Sequence, residues 1–150
     1  MEISASITKV LNGTISAVKS VLPFSSDVQK PSLIMQPFEQ ESISVLIGMT
    51  GAVRGRLIIE GTSDCVSKIG EVMFGMPLNG EMLESFAAEL GNMLAGNLAT
   101  SLANDDTLMD ITPPTVLVGQ TKMYGFNQAI NLPVVLEGAG TLHFILMIES

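Results

Sequence analysis

The stretch 86-FAAELGNMLAGNLATSLA-103 decides the fold. Leu90, Leu94, Leu98 and Leu102 recur every four residues, and Leu83, Phe86 and Ala87 fall on the same broad side of a helical wheel. That is the apolar face of a long helix laid on a core. The opposite face is unusual. Where Lys, Glu and Gln are expected, it offers Ser85, Ala88, Glu89, Asn92, Ala95, Gly96 and Ala99. Gly91 and Gly96 inside a helix each cost about 1 kcal/mol relative to Ala, so something should offset them. Two readings are open on spacing alone, and the first is the more common. Another helix of the same chain packs closely on the small residues, leaving Glu89 and Asn92 as ordinary surface groups. Alternatively, a partner approaches the bared backbone while Glu89 and Asn92, three apart and therefore neighbours, project into it.

Working outward, Asn79 opens this helix and the polar run 104-NDDTLMD-110 ends it. Upstream, Thr62 or Ser63 caps a shorter helix that runs to Phe74, with Gly75 as its stop. Residues 3–22 carry Ile3, Ile7, Val10, Leu11, Val18 and Leu22 at helical spacing, and Pro23 closes that segment. Between the helices lie short apolar runs divided by turn residues, read as strands near 33–38, 43–50 and 55–60. Three more follow near 114–119, 128–136 and 141–149, the last two joined by a turn at Gly138 and Gly140. The expected fold is α+β: a largely antiparallel six-stranded sheet with an N-terminal helix and two central helices, in a single domain spanning 1–150.

Composition narrows the function classes. The chain has 150 residues with 47% hydrophobic content, enough for a substantial core. Seven Lys plus Arg against 15 Asp plus Glu give a net charge of −8. That disfavours nucleic acid, which needs a basic patch, and an anionic membrane surface. No uncharged apolar run is long enough to span a bilayer, and no basic segment precedes an apolar block at the start. A cytoplasmic location is expected. The one cysteine, Cys65, excludes an internal disulfide and is expected to be a small core residue. His143, the only histidine, reads as an outward strand residue or a local hydrogen-bond partner. Asp105, Asp106 and Asp110 lack the spacing of a calcium loop.

The ordered set 44-SVLIGMTGAVRGRLIIEG-61, 62-TSDCVSKIGEVMFG-75, 85-SFAAELGNMLAGNLATSL-102 and 111-ITPPTVLVG-119 closely resembles the CheX branch of the CheC/CheX/FliY phosphatases of bacterial chemotaxis. The resemblance covers essentially the whole chain, least specifically its first 30 residues. In that family an Asn and a Glu on an exposed helix enter the active site of a phosphorylated response regulator, CheY. Glu89 matches the motif acid and Asn92 the motif amide. CheC-type members look to carry two such motifs. Other acids, such as Glu71, Glu81 and Glu137, have no Asn three residues on, which favours CheX.

The resemblance implies a phosphatase acting on the aspartyl phosphate of a CheY-like receiver, with Asn92 orienting the attacking water and Glu89 contacting the receiver's active-site Lys. It implies no cofactor of the chain's own, with Mg²⁺ carried by the receiver. It also implies a homodimer joined through its sheet. Ser85, Ala88, Ala95, Gly96 and Ala99 would form the clearance that lets the receiver approach. The competing expectation is a catalytically silent CheX-like module that binds a receiver or only dimerises. Neither the identity of the receiver nor the pathway is written in the sequence.

Overall fold

Glycine-punctuated hairpins and one long helix organise the chain. The computed structural model describes residues 5–35, 38–40, 42–126 and 128–149. Helix α1 (Ala5–Val21) leads into three short strands, β1 (Ser26–Val28), β2 (Ser32–Met35) and β3 (Phe38–Gln40). Hairpin strands β4 (Ile43–Gly51) and β5 (Gly55–Gly61) follow, then α2 (Ser63–Phe74) and α3 (Gly80–Asn104). The chain finishes with β6 (Met109–Ile111), β7 (Thr115–Val118), β8 (Thr121–Met123), β9 (Gln128–Leu136) and β10 (Gly140–Ile148). The expected N-terminal and two central helices are present, and β9 has the bounds expected of it. Ile3 of the expected first helix, and residues 36–37 of the expected first strand, lie outside the described residues.

The main sheet is antiparallel throughout and runs β1-β9-β10-β5-β4-β6, with β2 also on β9 and β7 also on β4. It therefore holds eight strands where six were expected. Its width is nonetheless six: β1 and β2 share one outer column, pairing successive parts of β9, and β7 and β6 share the other along β4. Two hairpins, β4–β5 and β9–β10, meet where β5 pairs with β10. The strands β3 and β8 form a separate two-stranded ribbon. The extra strands are three residues long, too short to show a period in sequence. Strand β6 begins inside the stretch expected to be loop, because Met109 is buried and residues 109–111 pair with Gly51, Thr50 and Met49.

Alternation along the strands sends residues to two faces. On one, Ile43, Val45, Ile47 and Met49 of β4 join Leu57, Ile59 and Phe144 in a core closed by α1, α2 and α3. On the other, Ile58, Ile145 and Met147 are covered by Phe126, with Met123, Leu46 and Ile34 at its margin. The Arg56 guanidinium donates to the carbonyl of Gly125 at 3.0 Å and holds that covering segment in place.

The helix ends follow their sequence signals. Thr62 caps α2 by accepting from the Cys65 N–H at 3.1 Å. Gly75 takes the left-handed conformation at φ 75° and donates to the Glu71 carbonyl, which ends α2. Asn79, in extended conformation, precedes α3. Leu90, Leu94, Leu98 and Leu102 are all buried. Each stabilises α3 by roughly 1.5–3 kcal/mol through burial, which outweighs the propensity cost of its internal glycines.

Candidate active site

The long helix is clamped on both flanks and free between them. Beneath it, Gly91 faces β4 so closely that a Cβ there would sit 2.6 Å from Val45 Cγ1. On one flank α1 packs against it: a Cβ at Gly13 would sit 2.6 Å from Leu98 Cδ1 and 3.9 Å from Leu102. On the other flank the ring of Phe86 meets Phe74 edge-on, with centroids 5.5 Å apart and an interplanar angle of 86°. Between these flanks runs the solvent face of α3.

Glu89 and Asn92 both stand exposed on that face. Ser85 is exposed one turn before Glu89, and Met93 is exposed beside Asn92. Gly96 is half-buried, yet a Cβ built on it would meet nothing within 4 Å. No internal contact explains this glycine, in contrast to Gly91. Thr100 donates its hydroxyl back to the Gly96 carbonyl at 3.1 Å, which satisfies that hydroxyl within its own helix.

The expected clearance strip needs one correction. Ala95 is fully buried, at 0% exposure, and cannot meet a partner. It belongs to the same buried core cluster as Leu94 and Leu98, so its small size serves packing inside the chain. Ala99 is half-buried and packs against the core, and Ala88 is half-buried. The two readings of the small-residue face thus divide it: Ala95 belongs to the packed core, while Ser85, Glu89, Asn92 and Gly96 form the open lane.

A cleft lies beside the lane. The end of α2, the 75–79 connection and the first turns of α3 enclose an open cleft of about 600 Å³. Ser85 and Glu89 form part of its wall, so it is continuous with the lane. The hint in the sequence was the cluster of large apolar residues Phe74, Met76 and Met82 around a Gly-Met-Pro turn.

The other candidates stay outside the site. Cys65 is buried, and burial pushes its thiol up to about 11, so it is a poor nucleophile. His143 lies on the sheet with Nδ1 3.2 Å from Asn131 Oδ1, and burial moves its pKa below the ordinary value. Asp105 forms an exposed ion pair with Lys9 at 3.6 Å. Among the described residues, no three His, Cys, Asp or Glu side chains are placed to hold a metal. None of their helices is long and apolar enough to cross a membrane.

An open antiparallel sheet backed by three helices is the fold of the CheC-like proteins. The chain matches a CheC-like superfamily protein from Shewanella sp. PV-4 with a TM-score of 0.80 at 22% identity, over 99% of this chain and 100% of that one. It matches the structure of the CheX–CheY–BeF₃–Mg²⁺ complex from Borrelia burgdorferi with a TM-score of 0.77 at 23% identity, over 96% and 97%. Within that class the family is specific. Residues 43–124 match the model of the chemotaxis phosphatase CheX. The chain is also 35% identical over 135 residues to the CheY-P phosphatase CheX of Thermotoga maritima, covering 87% of each. This protein belongs to the CheX family.

Proposed function

We propose that this protein hydrolyses the aspartyl phosphate of a CheY-like receiver, using Asn92 to position water and Glu89 to set the docking register. The reading rests on one observation. Glu89 and Asn92 are exposed together on a lane where Gly96 has no packing role inside the chain. It is supported by the 35% identity to a CheY-P phosphatase.

The reaction transfers a phosphoryl group to water. The water oxygen bonds to phosphorus, the bond from phosphorus to the aspartyl oxygen breaks, and the carboxylate leaves with the electron pair. Both water protons end on the departing dihydrogen phosphate. Such a step depends mainly on positioning and charge stabilisation. The receiver contributes its Lys and the Mg²⁺ that stabilises phosphoryl charge, so the phosphatase need add only an oriented nucleophile. The Asn92 carboxamide oxygen accepts a hydrogen bond from the water and holds it in line. An amide does not take up a proton at neutral pH, so Asn92 orients the water without acting as a base. The Glu89 carboxylate accepts from the receiver's Lys in a charge-assisted hydrogen bond. The same reading makes the chain a homodimer through its sheet. Exposed Val118 on the outer strand β7 is consistent with that.

The test is the decay of phosphorylated CheY-like receivers with and without the chain. Faster decay supports the phosphatase. Binding without faster decay, across a panel of receivers, would make the chain a silent docking module.

A further inference from the structure

We infer that the cleft between the end of α2 and the start of α3 is a second contact surface for the same receiver, and that it supplies most of the affinity. The inference rests on the phosphatase reading and asks what that reading leaves unexplained. The lane of Ser85, Glu89, Asn92 and Gly96 offers little apolar area, and two polar side chains alone make a weak anchor. Binding energy at interfaces concentrates in aromatic and other large side chains set in desolvated pockets, and aromatic residues and Met are enriched there. Next to the lane stand three such residues left in water: Phe74 at 60% exposure, Met76 at 51% and Met82 at 57%.

The cleft is built rigidly. Gly75 fixes the turn out of α2, and the Ser67 hydroxyl donates to the Leu78 carbonyl at 2.9 Å. Leu78 is itself buried, and a Cβ at Gly70 would sit 2.5 Å from its Cδ1. Phe74 is held by its edge contact with Phe86. A preorganised pocket loses less side-chain freedom on binding. Its lining also includes Glu81 and Glu89. The complementary partner element is therefore an apolar side chain flanked by Lys or Arg. Glu89 reaching the receiver's Lys from the lane places that element at the rim of the receiver's phosphorylation pocket.

The measurements are the concentration dependence of stimulated decay of phosphorylated CheY and the affinity for beryllofluoride-loaded CheY. Met76→Ser and Met82→Ser replace exposed side chains, so folding should survive. Each is expected to raise KM and Kd by about tenfold, the order of a substantial interface contact, while kcat stays near wild type. Asn92→Ala should show the reverse split. Leu108→Ser is the control. That residue is 73% exposed and lies past the far end of the 25-residue α3. Unchanged KM and Kd in both Met variants would overturn the inference while leaving the phosphatase reading intact. A fall in sedimentation mass in those variants would also overturn it, since the cleft would then join two copies of this chain. If wild type fails to accelerate decay of any receiver, the functional reading itself fails.

Discussion

Gly91 and Gly96 look alike in the sequence and have opposite roles. Gly91 lets α3 settle on β4, and the atom in the way of any side chain there belongs to stiff, β-branched Val45. Gly91→Ala should therefore destabilise by about 1–3 kcal/mol, the usual range for overpacking, despite its gain in helix propensity. Gly96 faces open space, so Gly96→Ala should stabilise by about 1 kcal/mol. Urea unfolding of the two variants should move the midpoint in opposite directions. Equal shifts of one sign would contradict the assignment. Cys65 gives a second prediction at this scale. Its folded pKa is raised to about 11, above the ordinary thiol value. The unfolded chain therefore loses this proton first, and the thiol's contribution to stability is present at neutral pH and lost as pH rises through 9 toward 11. Alkylation should be slow in the folded protein at pH 8 and fast in denaturant. Rapid labelling of the native chain would contradict the buried placement.

At the scale of elements, packing against the core decides which part of the small-residue face is free. Ala95→Arg would force a charge into the packed core beneath α3 and should lower Tm steeply or prevent folding. Gly96→Gln should leave Tm near wild type and raise KM for the phosphorylated receiver. A soluble, stable Ala95→Arg protein would contradict that packing. The helices and the long strands were legible because their periods run over many residues: the leucines of α3, the Thr62 cap and Gly75 stop of α2, the hairpin of β9 and β10. The strands β1, β3, β6 and β8 were not, since each forms from three residues recruited by pairing with a distant strand. That Glu89 and Asn92 are exposed was legible from the wheel, while their proposed roles came only from the resemblance to the CheX family. That Ala95 is buried was not, because the wheel shows which residues share a side of a helix and not how far around it the packed core extends. The Phe74, Met76 and Met82 cleft needed the fold to bring two helices together.

For the whole molecule, the sheet and its covering helices act as a rigid support for one free helical lane. A negative chain carrying an acid on that lane is suited to a partner that presents a Lys. Under the proposed mechanism the chain completes its partner's active site, so its effect should hinge on a single amide. The most direct measurement is the decay of phosphorylated CheY in the presence of Asn92→Ala. Stimulated decay should fall by about 10²-fold or more, as expected when a reacting group loses its positioning, while affinity for beryllofluoride-loaded CheY stays at the wild-type value. Decay as fast as with wild type would contradict the role of Asn92 in positioning water.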